Sequence, residues 1–376
     1  MSSMIMSDEA LARAPIAAVD LMYPEQIVEQ TIDRETSAFF RKSVYRVALE
    51  VGATALVRKR LVQGAELPPV LLTHGFAQNH YAWHVPSRSF SAYLAAAGFD
   101  VYSIDLRGVG RARLFGAPRP TRLQDYIEID VPRALAVIAR LSGSEPLFLI
   151  GHSMGGAISC SVAGLLPQRV RGVVSLAGLY AFGCKNNAVK AVCTLALALQ
   201  TVAPMRLWAR VPTKTVGDVL RLTRVGFNSR LGGILPLQAW APGSMEDHVL
   251  NEYLERSFAP STIGIVSELS RLSRGDVLTD ARGVSYFERF ESARLPTLVV
   301  TGSDDLLISV PDAVACYERS RSPHKACHVF TPDGRLGPRM GHVDLFMGRE
   351  APYTTWPLVR DWLVEQSGVA RVRAVG

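Results

Sequence analysis

Ser153 stands in Gly151-His152-Ser153-Met154-Gly155, with a short, wholly apolar run at 147–150 before it. Behind it a run of small, apolar residues at helical spacing, 156–166, is closed by Pro167. The first run reads as a buried parallel strand and the second as a helix. The serine therefore falls on a strand-to-helix turn, and the two outer glycines let that turn be sharp enough to push a hydroxyl out above a sheet. A serine hydroxyl is a weak nucleophile until a base takes its proton. A strained turn at a helix N-terminus is a good place to present one, and the chemistry it suggests is acyl transfer through a serine ester. The plain alternative is a turn serine with a structural role.

The elements that must position this serine alternate along the chain. Residues 45–51 and 53–59 read as strands about Gly52, an antiparallel pair at a sheet edge. After them strands at 70–73, 99–106, 147–150, 170–177, 297–301 and 326–331 alternate with helices near 89–97, 123–141, 156–166 and 357–365. This is an α/β pattern, a mostly parallel twisted sheet with helices on both faces. Such sheets place their sites at the carboxyl ends of the strands. The alternation stops after Gly178 and resumes near Leu295, too long a gap for a structureless connection. The expected organisation is a core of 1–182 and 291–376, with 183–290 inserted as a helical cap.

The strand ends supply the remaining groups. The loop His74-Gly75-Phe76-Ala77-Gln78 follows the first parallel strand, and its backbone can approach a substrate closely. The N–H of Phe76 and that of Met154, at the start of the serine helix, are the expected donors to a developing oxyanion. Gly302-Ser303-Asp304-Asp305 follows another strand and offers two carboxylates, either of which could orient a histidine. The last strand leads to Arg339-Met340-Gly341-His342-Val343-Asp344. His74 itself reads as structural, and the run 105–110 as a loop braced by an ion pair. Trp83 and His84 are candidates to line the pocket.

With these residues assembled, the chain resembles an α/β-hydrolase of the capped serine lipase, esterase and thioesterase kind. His74-Gly75, Asp105-x-Arg107-Gly108-x-Gly110, Gly151-x-Ser153-x-Gly155, Gly302-x-x-Asp305 and Gly341-His342 occur in the family's order and span 70–345. The resemblance implies the chain order nucleophile, acid, base. That order leaves His248, His324, His328 and His342 as bases. His248 lies in the insertion, His328 inside a strand and His324 at the wrong strand end, so His342 is the expected base. The family spacing from Gly302 selects Asp305 as the acid, with Asp304 as the alternative. The stretch 341–348 is similar to acid lipases and polyhydroxyalkanoate-related enzymes. Two departures stand out: Ala112 occupies a position where many relatives carry serine, and the insertion matches no subfamily.

Composition narrows the partners. The chain has 376 residues and a net charge of +7. Eight basic residues (Lys185, Lys190, Arg206, Arg210, Lys214, Arg221, Arg224, Arg230) and one acid, Asp218, lie between 185 and 230, so the excess belongs to the insertion. That excludes a general nucleic-acid-binding surface. The flanked apolar run 188–203 reads as a buried cap helix, a lid over a greasy substrate, or a helix making weak membrane-surface contact. Five cysteines without a C-x-x-C pair and no secretory signal point to the cytoplasm.

The expected activity is hydrolysis of a carboxylic ester with an apolar acyl group by Ser153, Asp305 and His342, with no metal or cofactor. Hydrolysis of an acyl thioester and acyl transfer to an alcohol are the alternatives, and a hydrolase-fold ligand-binding protein is the non-enzymatic one. Ser153 stands where epoxide hydrolases and haloalkane dehalogenases use a carboxylate and polyester synthases a cysteine, which argues against those chemistries.

Overall fold

A computed structural model describes residues 19–34, 36–183, 191, 194, 198, 210–211, 213–228, 238–331 and 339–368. Apart from three of its residues, the apolar run 188–203 lies outside the described residues. Among the described residues no helix is long and apolar enough to cross a membrane.

The sheet is built from β1 (Val19–Asp33), β2 (Thr36–Ala48), β3 (Ala53–Leu61), β4 (Leu67–Thr73), β5 (Phe99–Asp105), β6 (Leu147–His152), β7 (Val170–Leu176), β8 (Thr297–Gly302) and β9 (Lys325–Phe330). Their spatial order is β9-β8-β7-β6-β4-β5-β3-β2-β1, extended beyond β1 by the two-residue strands Arg88–Ser89 and His84–Val85. The strands from β4 to β9 run parallel to one another, and β1, β2 and β3 are joined antiparallel. β6 is buried along its whole length, which is why its sequence is a continuous apolar run rather than an alternation. Leu71 and Leu149 face one hydrophobic cluster while Leu72, Phe148 and Ile150 face the other.

Helices cover both faces: α1 (Phe90–Ala96), α2 (Val131–Ser142), α3 (Met154–Leu165), α4 (Thr213–Phe227), α5 (Asp247–Arg256), α6 (Ile263–Leu272), α7 (Tyr286–Ala293), α8 (Val310–Arg319) and α9 (Thr355–Ser367). The stretch expected as one helix over 123–141 is broken by a π turn, Tyr126–Asp130, between a short helical turn and α2. α7 packs against α3 so closely that a side-chain carbon at Gly164 would lie 2.5 Å from Phe290 N.

One expectation fails at the N-terminus. The pair about Gly52 is real, with Leu49 N donating to Gly52 O across the turn, but it is not the sheet edge. β1 lies outside it, fifteen residues long. Its register slips at Leu21/Tyr23 and Tyr23/Gln26, around Pro24, and Leu21, Tyr23 and Ile27 are exposed. These irregularities erase the two-residue period by which a strand is recognised.

Candidate active site

The parallel strands bring their carboxyl ends to one level, with Thr73 beside Gly151 and His152 beside Leu176. Ser153 follows directly, at φ 54° and ψ −122°, a left-handed backbone that a non-glycine residue adopts only when its surroundings enforce it. The enforcement is visible. Ser153 N donates to Leu176 O at 3.1 Å, and Ser153 O accepts from Leu179 N at 3.0 Å and Gly156 N at 2.9 Å. The glycines make room for this turn: a side-chain carbon at Gly151 would lie 2.2 Å from Gly155 O, and one at Gly155 would lie 2.2 Å from Thr73 O. A side-chain carbon at Gly75 would lie 3.1 Å from Ser153 Cβ, so the loop after β4 runs directly beside the serine. Among the described residues, no backbone carbonyl accepts from the N–H of Phe76 or of Met154.

Asp305 Oδ2 accepts from His342 Nδ1 at 2.7 Å, both residues being buried. The other carboxylate oxygen of Asp305 is held by Leu307 N and Ile308 N at 2.8 and 2.9 Å, which fixes its direction. Asp304 turns outward instead and pairs with Arg339, whose side chain is 64% exposed. Gly302 is what lets Asp305 and His342 meet: a side-chain carbon there would lie 1.9 Å from Met340 O, in the loop that delivers His342. Gly302→Ala is therefore expected to cost about 3 kcal/mol of stability in urea titrations, because the obstacle is backbone and cannot rotate away.

Three further residues brace this cluster. His152, fully buried, packs against the His342 ring at 4.4 Å between centroids, and its Nε2 and Nδ1 lie 3.1 Å from His342 O and 3.2 Å from Gln78 Oε1. Burial, and then the neighbouring His342, keep its pKa well below the ordinary histidine range. Gln78 Oε1 accepts from Gly75 N at 2.8 Å, and its amide donates to the Tyr253 hydroxyl of α5. Gln78 thus ties the loop of Phe76 to both the serine turn and α5.

Asp344 is the third. Its Oδ2 accepts from Gly341 N at 2.6 Å and Ala241 N at 2.7 Å. The Ser244 hydroxyl lies 2.6 Å from both Asp344 Oδ1 and Ala241 O. That hydroxyl has one proton for two acceptors, an arrangement that favours a carboxyl carrying a proton of its own. Burial likewise pushes Asp344 up to about 7, against the donors that favour its charge. A carboxyl raised in the folded state contributes its stabilisation fully below its unfolded pKa and loses it as pH rises through the folded value. Asp344→Asn mimics the protonated form. The stability of wild type relative to this variant is expected to fall by about 4 kcal/mol from pH 4 to pH 7 and then level off, as read by denaturant titration at each pH.

Other residues take structural positions. His74 is buried, its Nδ1 2.9 Å from Gly75 O, and burial lowers its pKa. Arg107 forms a buried pair with Asp130, at the end of the π turn, at 2.7 Å. Asp105 accepts from His80 N, His80 Nδ1 and Arg111 N. A side-chain carbon at Gly110 would strike the Asp105 carboxylate, at 2.2 Å. Trp83 is fully buried and packs on Phe346 and edge-on to His152. His84 points to the N-terminal hairpin, where its Nδ1 lies 2.7 Å from the Gln30 amide. His248 and His328 are exposed on α5 and β9. Among the described residues no three His, Cys, Asp or Glu side chains are grouped to hold a metal ion.

Residues 68–337 match the family model described as the alpha/beta hydrolase fold. Over 111 residues the chain is 33% identical to epoxide hydrolase B of Mycobacterium tuberculosis, covering 29% of this chain and 28% of that protein. It is 24% identical over 320 residues to a poly(3-hydroxyalkanoate) polymerase subunit of Haloferax mediterranei, covering 80% of this chain and 59% of that one. The chain thus matches about a quarter of the first relative's length and three-fifths of the second's. A thermophilic esterase structure from Thermogutta terrifontis superposes with a TM-score of 0.54 at 16% identity, covering 86% of this chain and 99% of the other. At that identity the likeness is one of fold.

Proposed function

The chain belongs to the alpha/beta hydrolase family, and from that premise we propose that it is a serine hydrolase that cleaves carboxylic esters through an acyl-enzyme. Ser153 Oγ attacks the carbonyl carbon while His342 takes its proton. Asp305 holds Nδ1–H, so that Nε2 is the basic nitrogen and the imidazolium that forms is stabilised. The N–H groups of Phe76 and Met154 receive the oxyanion. His342 then protonates the departing alkoxide, and water activated by the same histidine releases the acid. The observation that carries this reading is the buried contact of 2.7 Å between Asp305 Oδ2 and His342 Nδ1, at the strand ends that also present Ser153 on its strained turn.

Serine at the turn directs the reading to esters. The relatives named for epoxide hydrolysis and polyester polymerisation suggest chemistries for which this fold uses a carboxylate or a thiol. Residues 183–290 are read as a cap over the site. Its apolar run 188–203 favours an apolar acyl group, and the eight basic residues between 185 and 230 suit weak contact with a membrane surface. The test is exposure of the folded protein to a fluorophosphonate probe beside Ser153→Ala, read by intact mass. A single adduct absent from the variant is the expected result, followed by a higher kcat/KM for decanoate than for acetate nitrophenyl esters. A folded protein that takes up no probe would overturn the proposal, and equal kcat/KM values would remove the apolar pocket alone.

A further inference from the structure

Away from the site just described, the N-terminal hairpin carries an arrangement of charge with no counterpart. Lys42 of β2 and Lys59 of β3 are directly opposed across the antiparallel ladder, so their side chains share one face. Like charges in that position repel. Lys59 is buried, and among the described residues its Nζ is offered only hydroxyls, Ser91 Oγ at 3.1 Å and Ser89 Oγ at 3.5 Å, with the Phe40 ring 5.9 Å away. His80 and His84 close over the same spot from the segment that covers the sheet, and Arg111 donates to His80 Nε2 at 2.8 Å. The carboxylate nearest these groups, Asp105, is taken up by His80 and by the backbone N–H groups of His80 and Arg111.

These side chains enclose a cavity of about 10 Å³, lined by Lys42, Lys59, His80, His84, Ser91 and Ser103. Lys42 also lines an outer cleft of about 230 Å³, with Arg111, Tyr23 and Gln26, and so stands between the cavity and the surface. Burying an ammonium group without an opposite charge is costly, and the fold can relieve the cost by discharging the lysine or by admitting an anion. A water molecule in the cavity would satisfy hydrogen bonds but leave the repulsion. Burial and the adjacent Lys42 both depress the Lys59 pKa, the stress an anion would remove.

We propose that this cavity is a structural anion site that takes one monatomic halide, chloride or bromide, held by Lys42 and Lys59 with the Ser91 and Ser103 hydroxyls. It has room for a single small guest and is too small for phosphate or a carboxylate. The ion would pin β2 and β3 to the segment 80–91, and through His80 and Asp105 to the loop after β5.

The test is thermal unfolding of the whole chain in sodium bromide against sodium gluconate at equal ionic strength. The midpoint is expected to rise in bromide by about 3 °C at a hundredfold excess over Kd, and to saturate in slope as a single site does. Lys59→Met is expected to abolish the difference between the two salts. If that variant does not fold, Lys42→Met is the second arm, expected to weaken the bromide response at least tenfold in concentration. Anomalous scattering from bromide-soaked crystals should give a peak among Lys42, Lys59 and Ser91. Identical curves in bromide and gluconate, or a bromide response unchanged in both lysine variants, would overturn the proposal.

Discussion

Ser153→Ala is expected to lower kcat for a nitrophenyl ester by about 10⁶-fold, to the residual rate that binding and oxyanion donors alone support. On the proposed mechanism the hydroxyl it removes is the group that forms the covalent bond, and the substitution adds nothing to the turn. The strained backbone of Ser153 is enforced by Leu176 O, Leu179 N and Gly156 N, none of which touches the hydroxyl. The variant should therefore unfold no earlier than wild type, and alanine at this φ relieves no contact the serine made. Steady-state kinetics with a denaturation curve beside it checks both halves. A variant that keeps turnover within tenfold would move the nucleophile elsewhere.

The second large effect falls on Asp305, the proposed acid. Asp305→Asn is expected to reduce kcat about 10⁴-fold, because an amide facing His342 Nδ1 stabilises the wrong tautomer and cannot balance an imidazolium. KM should change little, since the carboxylate sits behind the imidazole and not against a substrate. The neighbouring Asp304→Asn serves as the control: its partner is the exposed Arg339, and an exposed pair of this sort is worth well under about 1 kcal/mol. The ratio of the two effects is the measurement. A larger loss at Asp304 than at Asp305 would mean that the base is oriented by a different contact in solution.

Much of this was legible because burial on two faces writes itself plainly into sequence. β6 and the elbow helix behind it could be recognised at once, since a strand covered on both sides must be apolar throughout. The turn at Ser153 then followed from the change of period. What the sequence could not disclose are partnerships between residues far apart in the chain. Gln78 reads as an ordinary loop amide until α5, some 175 residues later, presents Tyr253 to it. Asp344 reads as one more acid in a loop until Ala241 and Ser244 fold over it. β1 was hidden for the opposite reason: its bulges and exposed apolar side chains remove the local signal. The opposed lysines of the hairpin escaped notice because register, which sets them face to face, is not a property of either strand alone.

Residues 239–245 are stitched to the loop of the base at four points: Ala241 N and Ser244 Oγ on Asp344, Val343 N on Ala239 O at 2.8 Å, and Arg349 N on Ser244 O at 2.7 Å. An entrance that opened by lifting this strap would pull away the anchor of His342 and so admit a guest to a chamber without its base. Opening and competence would then exclude each other. On the proposed reading, traffic to Ser153 would therefore pass elsewhere than beneath this strap, which would stand as a fixed doorpost.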